Sequence, residues 1–159
     1  MTEEPRPVAA APAAAAAPAQ AAEPAPGEAA PLLDQVFDTD SLYALRAAVA
    51  AHASAAGLSA VRTGDLVIAA HELAANAVRH GAGHGRLRLW AADGALHCEV
   101  TDDGPPAAVP AGDPPGGAAQ VPLWDSNHGH GLWLVRQVAD QAGGHQGPAG
   151  TTATATFRL

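Results

Sequence analysis

Apolar residues recur at every third or fourth position in two consecutive stretches of the chain, and this is the period of an amphipathic helix. The first stretch covers residues 42–56, and its apolar residues at helical spacing are Leu42, Leu45, Val49 and Ala53. Residues that favour a helix N-cap precede it, and Gly57 follows it. The second stretch begins at about residue 59 or 61 and ends at His80, before two closely spaced glycines. Two successive helices are therefore predicted.

Other stretches alternate between apolar and polar residues, as a strand with one buried face does. Residues 86–91 and 95–101 alternate on either side of Asp93-Gly94, a hairpin turn signal. Their inward positions are predicted to be Leu87, Leu89, Leu96, Cys98 and Val100. Residues 33–37 are predicted to form a short edge strand and residues 151–159 a closing strand.

Between the strands, residues 103–128 are rich in proline and glycine and have no regular apolar period. A loop of this length in a compact domain is usually a functional lid or a disordered segment. Helical spacing returns at Gly131 and stops at Gly143-Gly144. The order of elements predicts an α/β fold, a two-layer sandwich with a mixed, mostly antiparallel sheet and the helices on one face.

Composition separates the beginning of the chain from the rest. The first 31 residues hold 14 alanines and 7 of the 14 prolines, without an aromatic residue. Frequent proline favours extended, solvated chain. Residues 1–31 are therefore predicted to be a disordered tail, and residues 32–159 the folded domain. The tail lacks the basic region of a signal peptide, and the sequence has no apolar run of about 18–20 residues to span a membrane.

The charge balance narrows the class of partner. The net charge is −8 and the chain has no lysine, which argues against nucleic-acid binding because that needs a basic surface. Basic protein partners or a small ligand are compatible with it. The one cysteine, Cys98, cannot form an internal disulfide, so a reducing cytoplasm is the expected location.

Glu72 and Asn76 lie four residues apart and therefore share one face of the second predicted helix, with His80 on the same stripe. A polar row on a largely apolar helix either faces solvent or lines a pocket. In a pocket, the asparagine oxygen is a hard ligand for Mg²⁺, and the glutamate can act as a general base.

Two glycine-containing segments are the other candidates for chemistry. Asp102-Asp103-Gly104 follows a strand; it is either an ordinary turn or a place where a carboxylate accepts a hydrogen bond from an exocyclic amine. Gly129-His130-Gly131 opens a helix, where free backbone N–H groups favour phosphate. The second segment is neither a Rossmann fingerprint, because the third glycine is missing, nor a Walker loop, because the chain has no lysine.

The three elements in this order resemble the GHKL ATPase superfamily, which includes histidine kinases, gyrase-type ATPases and Hsp90. Residues 72–80 (ELAANAVRH) look like its N box. Residues 102–104 (DDG) and 129–135 (GHGLWLV) look like its two glycine boxes, and the loop between them corresponds to the ATP lid. The resemblance covers about residues 34–159 and implies a Bergerat-type ATP-binding fold, that of the histidine kinase-like ATPases.

Within the superfamily, the chain resembles the bacterial anti-sigma factor serine/threonine kinases, through residues 71–77 (HELAANA) and 150–152 (GTT). The resemblance implies ATP and Mg²⁺ as cofactors. It also implies a serine on an anti-anti-sigma (STAS-type) protein as substrate, a sigma factor as captured partner, and a domain that often forms homodimers.

The resemblance also implies roles for individual residues. Glu72 is the catalytic base, Asn76 coordinates Mg²⁺, and Asp102 binds the adenine amine, with Gly104 packed beside the base. Phosphate contacts are implied through the backbone of Gly129, Gly131 and Leu132. The full set of nucleotide-binding positions is Asn76, Arg79, His80, Asp102, Gly104, Gly129, His130, Gly131 and Leu132.

The chain departs from the family pattern in ways that bear on phosphoryl transfer. Pro106 replaces the second glycine of the first box, and His130 stands where close relatives often have arginine. Residues 89–135 contain no arginine or lysine, although positive charge near the γ-phosphate can contribute several kcal/mol to transfer. The candidates to supply it are Arg79, His128 and His130.

Three functions are therefore weighed: a serine kinase that also sequesters a sigma factor, a nucleotide-dependent binding module without transfer chemistry, and a metal-binding protein. The last is prompted by eight histidines, but the spacing of His71 and His80 and of His128 and His130 does not form the tight ligand clusters of zinc sites.

Overall fold

The computed structural model describes residues 29–104, 121–122 and 130–159. Within them, three helices pack on a six-stranded sheet. The helices are α1 (Leu42–Ala55), α2 (Ala60–His80) and α3 (His130–Val138). The strands are β1 (Leu33–Asp38), β2 (His84–Ala92), β3 (Ala95–Asp102), β4 (Val121–Pro122), β5 (Gln141–Gly147) and β6 (Gly150–Arg158). The strand order is β1-β2-β3-β6-β5-β4.

The core lies between the helices and one face of the sheet. Alternate residues of the three central strands are buried there: Leu87, Leu89, Leu96, Cys98, Val100, Ala153, Ala155 and Phe157. They meet the buried sides of α1 and α2, which include Leu45, Val49, Leu66 and Leu73. Full burial of one large apolar side chain stabilises the fold by about 1.5–3 kcal/mol. The inward positions predicted from the alternation are thus confirmed, as is the α/β two-layer fold.

The opposite face of the sheet is polar and partly exposed, as one face of an antiparallel sheet can be. Arg86 pairs with Asp34 through Nε at 2.6 Å, and Arg88 lies 3.9 Å from Glu99. The Trp90 ring stacks on His97, with 5.3 Å between centroids. These cross-strand contacts fix the register of β1, β2 and β3.

Local signals set the element boundaries. Asp93 and Gly94 both have positive φ, 53° and 71°, which makes the two-residue turn that joins β2 to β3. Ser59 caps α2 by accepting a hydrogen bond from the Arg62 N–H at 3.3 Å. Before α1, the Asp38 carboxylate accepts hydrogen bonds from the N–H groups of Asp40 and Ser41.

The structure corrects the prediction after position 130. The helix was predicted to continue to Gly143-Gly144, but α3 ends at Val138 and residues 141–147 form β5. At this end, Arg62 Nη1 donates to the Val138 carbonyl at 2.7 Å, and the Asp140 N–H already donates to the Thr156 carbonyl of β6 at 3.0 Å. The strand was missed because its sequence, QAGGHQG, has no alternation of large apolar residues.

Two further details of the sheet differ from the prediction. The two-residue strand β4 lies inside the segment predicted to be a loop, residues 103–128. Every pairing between the described strands is antiparallel, so the parallel component of the predicted mixed sheet is absent from them. Most of the loop, and residues 1–28 of the predicted tail, lie outside the described residues. None of the described helices is both long enough and apolar enough to cross a membrane.

Candidate functional site

A cleft opens between α2, the start of α3 and the ends of the central strands. Its lining residues come from five elements and the turn after α2: Leu73, Asn76, Ala77, His80, Gly81, Val100, Asp102, Leu132, Gln146, Thr151 and Ala153. The lining combines apolar side chains with a few polar groups. This combination is typical of small-molecule sites.

Helix α2 supplies one wall of the cleft. Its apolar side is buried against the sheet, which leaves Asn76 half-buried and facing the cleft, with His80 one turn further on at the exposed rim. Arg79 does not line the cleft. Its Nε donates to the Ala75 carbonyl at 3.3 Å, which directs the side chain along its own helix. The structure therefore places the predicted Asn76 and His80 at the cleft, and Arg79 beside it.

Asp102 stands at the end of β3, held by close backbone contacts. Its Oδ1 accepts a hydrogen bond from the Gly104 N–H at 2.9 Å. A Cβ at Gly81 would lie 2.5 Å from that same Oδ1, and a Cβ at Gly104 would lie 2.6 Å from the backbone nitrogen of Ala82. Glycine at both positions lets the backbone pack closely beside Asp102, which also lines the cleft.

Gly150 completes this cradle at the start of β6. Its φ is +121°, a conformation that glycine adopts readily, and a Cβ there would collide with the Asp102 carbonyl oxygen. β6 can therefore pair with the end of β3, where Thr151 lies opposite Asp102.

Burial raises the pKa of the Asp102 carboxyl above its usual value of 3.8, and the nearby Asp103 charge adds to the rise. The Gly104 N–H and His84 act in the opposite direction. A half-buried carboxylate with one oxygen already hydrogen-bonded to the backbone can accept a further hydrogen bond from a ligand amine.

The first turn of α3 meets α2 at Glu72. A Cβ on Gly131 would collide with the Glu72 carboxylate, so the missing side chain at Gly131 is what lets Glu72 lie against the start of α3. Glu72 does not line the cleft itself; it lies one helical turn before Asn76. The N–H groups of the first turn of a helix have no partner within the helix and attract anions, and Leu132 of this turn lines the cleft.

These groups fit a magnesium nucleotide. A carboxylate acceptor and an apolar floor suit a purine, a helix start suits phosphate, and an asparagine oxygen is a hard ligand for Mg²⁺. Within the described residues, no three or more histidine, cysteine, aspartate or glutamate side chains are grouped to hold a metal by themselves. A cation here would thus depend on Asn76 together with the phosphates.

Two polar residues of the cleft, Thr151 and Gln146, were not among the residues predicted for the site. Thr151 was assigned to the closing strand without a site role, and Gln146 lies on β5, which was not predicted. Neither residue carried a sequence signal of its place in the cleft, because both places depend on strand registers that the folded sheet sets. Gly129, Pro106 and His128 lie outside the described residues, as does the side chain of His130.

Known proteins share sequence features and the fold of this chain. A family model described as the histidine kinase-like ATPase domain matches residues 36–157. The crystal structure of the RsbU and RsbW domains of Rv1364c from Mycobacterium tuberculosis is similar, with a TM-score of 0.56 and 22% identity. The match covers 80% of this chain and 32% of that one, so this chain spans about a third of that structure, and the likeness concerns the fold. No curated protein matches the sequence.

Proposed function

This chain belongs to the histidine kinase-like ATPase family, and on that premise we propose that it is an ATP- and Mg²⁺-binding regulator of transcription in the cytoplasm. In this proposal it phosphorylates a serine on a STAS-type anti-anti-sigma protein and sequesters a sigma factor. One observation carries the nucleotide-binding part: Asn76, Asp102 and the first turn of α3 reach a single cleft from three different elements.

The assignment to anti-sigma kinases has separate support. Residues 71–77 and 150–152 resemble that group, and residues 150–152 open β6 beside Asp102. The similar structure from Mycobacterium tuberculosis contains an RsbW domain. The net charge of −8 suits a basic surface on a protein partner.

Binding is divided among the residues of the cleft. Asp102 accepts a hydrogen bond from the adenine amine, while the Gly104 N–H orients its carboxylate; the family resemblance also implies that Gly104 packs beside the base. Backbone N–H groups at Gly131 and Leu132, with Gly129 and His130 before them, hold the phosphates. Asn76 supplies an oxygen to Mg²⁺, which when bound neutralises phosphate charge.

Glu72 carries the transfer step. Its carboxylate accepts the proton of the partner's serine hydroxyl while the serine oxygen forms a bond to the γ-phosphorus. The bond between the γ-phosphorus and the bridging oxygen breaks, and ADP leaves. The contact of Glu72 with Gly131 keeps this base beside the turn that holds the phosphates.

Calorimetric titration with ATP and Mg²⁺ tests the binding site. We expect Asp102→Asn to weaken ATP binding by about 10-fold or more, because a hydrogen bond to a charged group contributes about 1.5–3 kcal/mol. Asp103→Asn is the matched control, since Asp103 is an exposed neighbour outside the cleft. Equal affinities of the two variants would contradict the assignment of Asp102.

Transfer is tested with radiolabelled ATP and the STAS-type proteins encoded in the same genome. We expect one of them to be labelled on serine and the label to be lost in Glu72→Gln. Glu99→Gln, a similar change on the polar face of the sheet, should transfer normally. Absence of labelling with every such protein, while ATP binds, would refute the kinase function.

A binding module without transfer chemistry is the second candidate, and the placement of basic residues favours it. Residues 89–135 contain no arginine or lysine, and Arg79 is directed to the Ala75 carbonyl instead of lining the cleft. This function predicts that ATP changes the capture of a sigma factor in a pull-down, and that Glu72→Gln leaves that capture unchanged. Rapid phosphorylation of the partner would exclude it.

A further inference from the structure

A row of polar side chains crosses three neighbouring strands at the edge of the cleft. Asp102 on β3 lies opposite Thr151 on β6, and Thr151 lies opposite Gln146 on β5. Directly opposed residues of antiparallel strands project from the same face of the sheet. All three line the cleft, on the face that packs against the helices.

Gln146 lies between the two ends of the nucleotide site. Adjacent strands are about 4.8 Å apart, so β5 lies roughly 10 Å from β3 and thus from the Asp102 end. From Gln141, β5 runs back along α3 after a two-residue connection, and Gln146 is therefore level with the start of α3. Leu132 from that start lines the same cleft. When the base is bound at Asp102 and the phosphates at the start of α3, the sugar between them lies next to Gln146.

The chemistry of the side chain suits a sugar. A glutamine amide offers both a donor and an acceptor, as do the neighbouring hydroxyls of ribose. Among the described residues, the Gln146 side chain has no hydrogen-bond partner, and the cleft residues Leu132, Val100 and Ala153 are apolar. A buried ligand hydroxyl at this level would lose its hydration and find Gln146 as its partner.

We infer that Gln146 is a specificity-determining residue that binds the ribose hydroxyls of the nucleotide and distinguishes ribonucleotides from deoxyribonucleotides. The inference rests on the proposed binding of ATP in this cleft and extends it to the recognition of the sugar.

The test compares titrations with ATP, 2′-deoxy-ATP and 3′-deoxy-ATP in the presence of Mg²⁺. We expect the natural chain to bind ATP about 3- to 10-fold more tightly than at least one deoxynucleotide, the range of one net hydrogen bond. Gln146→Ala should weaken ATP binding by the same factor and leave that deoxynucleotide unaffected. Gln146→Met, which keeps the length of the side chain but not its amide, should behave like Gln146→Ala.

Gln141→Ala is the matched control, because it makes the same change at the exposed other end of β5. Equal weakening of ATP and both deoxynucleotides by Gln146→Met, or no weakening, would overturn the sugar assignment. A changed ATP-to-GTP ratio with an unchanged ATP-to-deoxynucleotide ratio would also overturn it, since Gln146 would then contact the base. If the natural chain binds none of these nucleotides, the proposed function itself fails.

Discussion

At the scale of single residues, the Asp102 carboxylate is held in a position that lowers the stability of the fold. Burial raises the pKa of its carboxyl, so the ionised form present at neutral pH is less favourable in the folded chain than in the unfolded one. The chain keeps a charged side chain where a neutral one would make the fold more stable. A charge kept at the expense of stability is expected where it serves binding.

We predict that Asp102→Asn raises the midpoint of thermal unfolding at pH 7, although it weakens ATP binding. The asparagine oxygen can still accept the Gly104 N–H hydrogen bond, while the unfavourable charge is removed. Because the pKa of Asp102 is raised, its destabilising effect develops as pH rises above the usual value of 3.8. The difference between the variants should therefore vanish below that pH. Circular dichroism melts at pH 7 and pH 3 measure this.

A lower melting temperature of Asp102→Asn at pH 7 would contradict the prediction. It would mean that contacts specific to the carboxylate stabilise the fold by more than its burial costs.

Replacement of glycine by alanine is predicted to have opposite effects on stability at Gly64 and at Gly104. Gly64 lies inside α2 with no atom within 4 Å of the space for a Cβ, so Gly64→Ala should stabilise the fold by about 0.5–1 kcal/mol. At Gly104 a Cβ would lie 2.6 Å from backbone atoms of both Gly81 and Ala82, which cannot move as a side chain does. Gly104→Ala should destabilise by about 1–3 kcal/mol. Urea unfolding of both variants measures the two signs.

At the scale of elements, Arg62 joins the start of α2 to the connection between α3 and β5. Its guanidinium bonds to Asp65, to the Val138 carbonyl and to Asp140, and lies 5.0 Å from the centre of the Phe157 ring. Asp140 in turn accepts the N–H of Arg158 on β6 at 2.8 Å. One side chain thus orients α3, and with it the turn that faces the cleft.

We predict that Arg62→Lys destabilises the fold by about 1–3 kcal/mol, because an ammonium group cannot reproduce the planar set of hydrogen bonds. Arg46→Lys, at an exposed position on α1, is the control and should change little. Chemical denaturation measures both variants. Hydrogen exchange should also show faster exchange in α3 of Arg62→Lys, and equal stability of the two variants would refute the role of Arg62.

Elements with a strong side-chain period could be predicted, and those made by pairing alone could not. The hairpin of β2 and β3 was correct in its turn and inward positions, because Leu87, Leu89 and Leu96 alternate and Asp93-Gly94 favours the turn; both strands are longer than predicted. β5 is held by backbone hydrogen bonds to β6. Its own sequence, rich in glycine and glutamine, does not predict that pairing.

The same reasoning applies to the cleft. Asn76 could be placed because helical spacing puts it on a predictable face, and Asp102 because it ends an alternating strand. Gln146 could not, since its place depends on two strand registers that only the three-dimensional structure sets. That Gly131 makes room for Glu72 was equally hidden, because the two residues meet through the packing of α3 on α2.

At the scale of the whole molecule, the single cysteine reports on global unfolding. Cys98 is fully buried at the centre of β3, and this burial raises the pKa of its thiol to about 12. The thiolate is the reactive form. We predict that Ellman's reagent leaves the native protein unmodified at pH 8 and modifies it completely in urea. Rapid labelling without denaturant would show that β3 opens locally.

The raised thiol pKa also predicts a loss of stability in alkali. Between the ordinary value of 9.0 and about 12, the unfolded chain releases this proton and the folded chain keeps it. The free energy of unfolding should therefore fall by up to about 1.4 kcal/mol per pH unit over that range. Cys98→Ala should lack this slope, although its stability near pH 7 is lower, and urea titrations from pH 8 to pH 11 compare the two.

The pairing of Asp102 with Thr151 has a consequence for how the protein is made. Asp102 and Thr151 lie 49 residues apart in the chain, so Asp102 is synthesised before its neighbours on β6 and β5. At roughly 5–20 residues per second, synthesis of that interval takes about 2–10 s. The β2–β3 hairpin can form during this time, because its paired residues are close in sequence. On the proposed function, the nascent chain therefore binds ATP only after β6 has been made, and ATP does not assist the earlier steps of its folding.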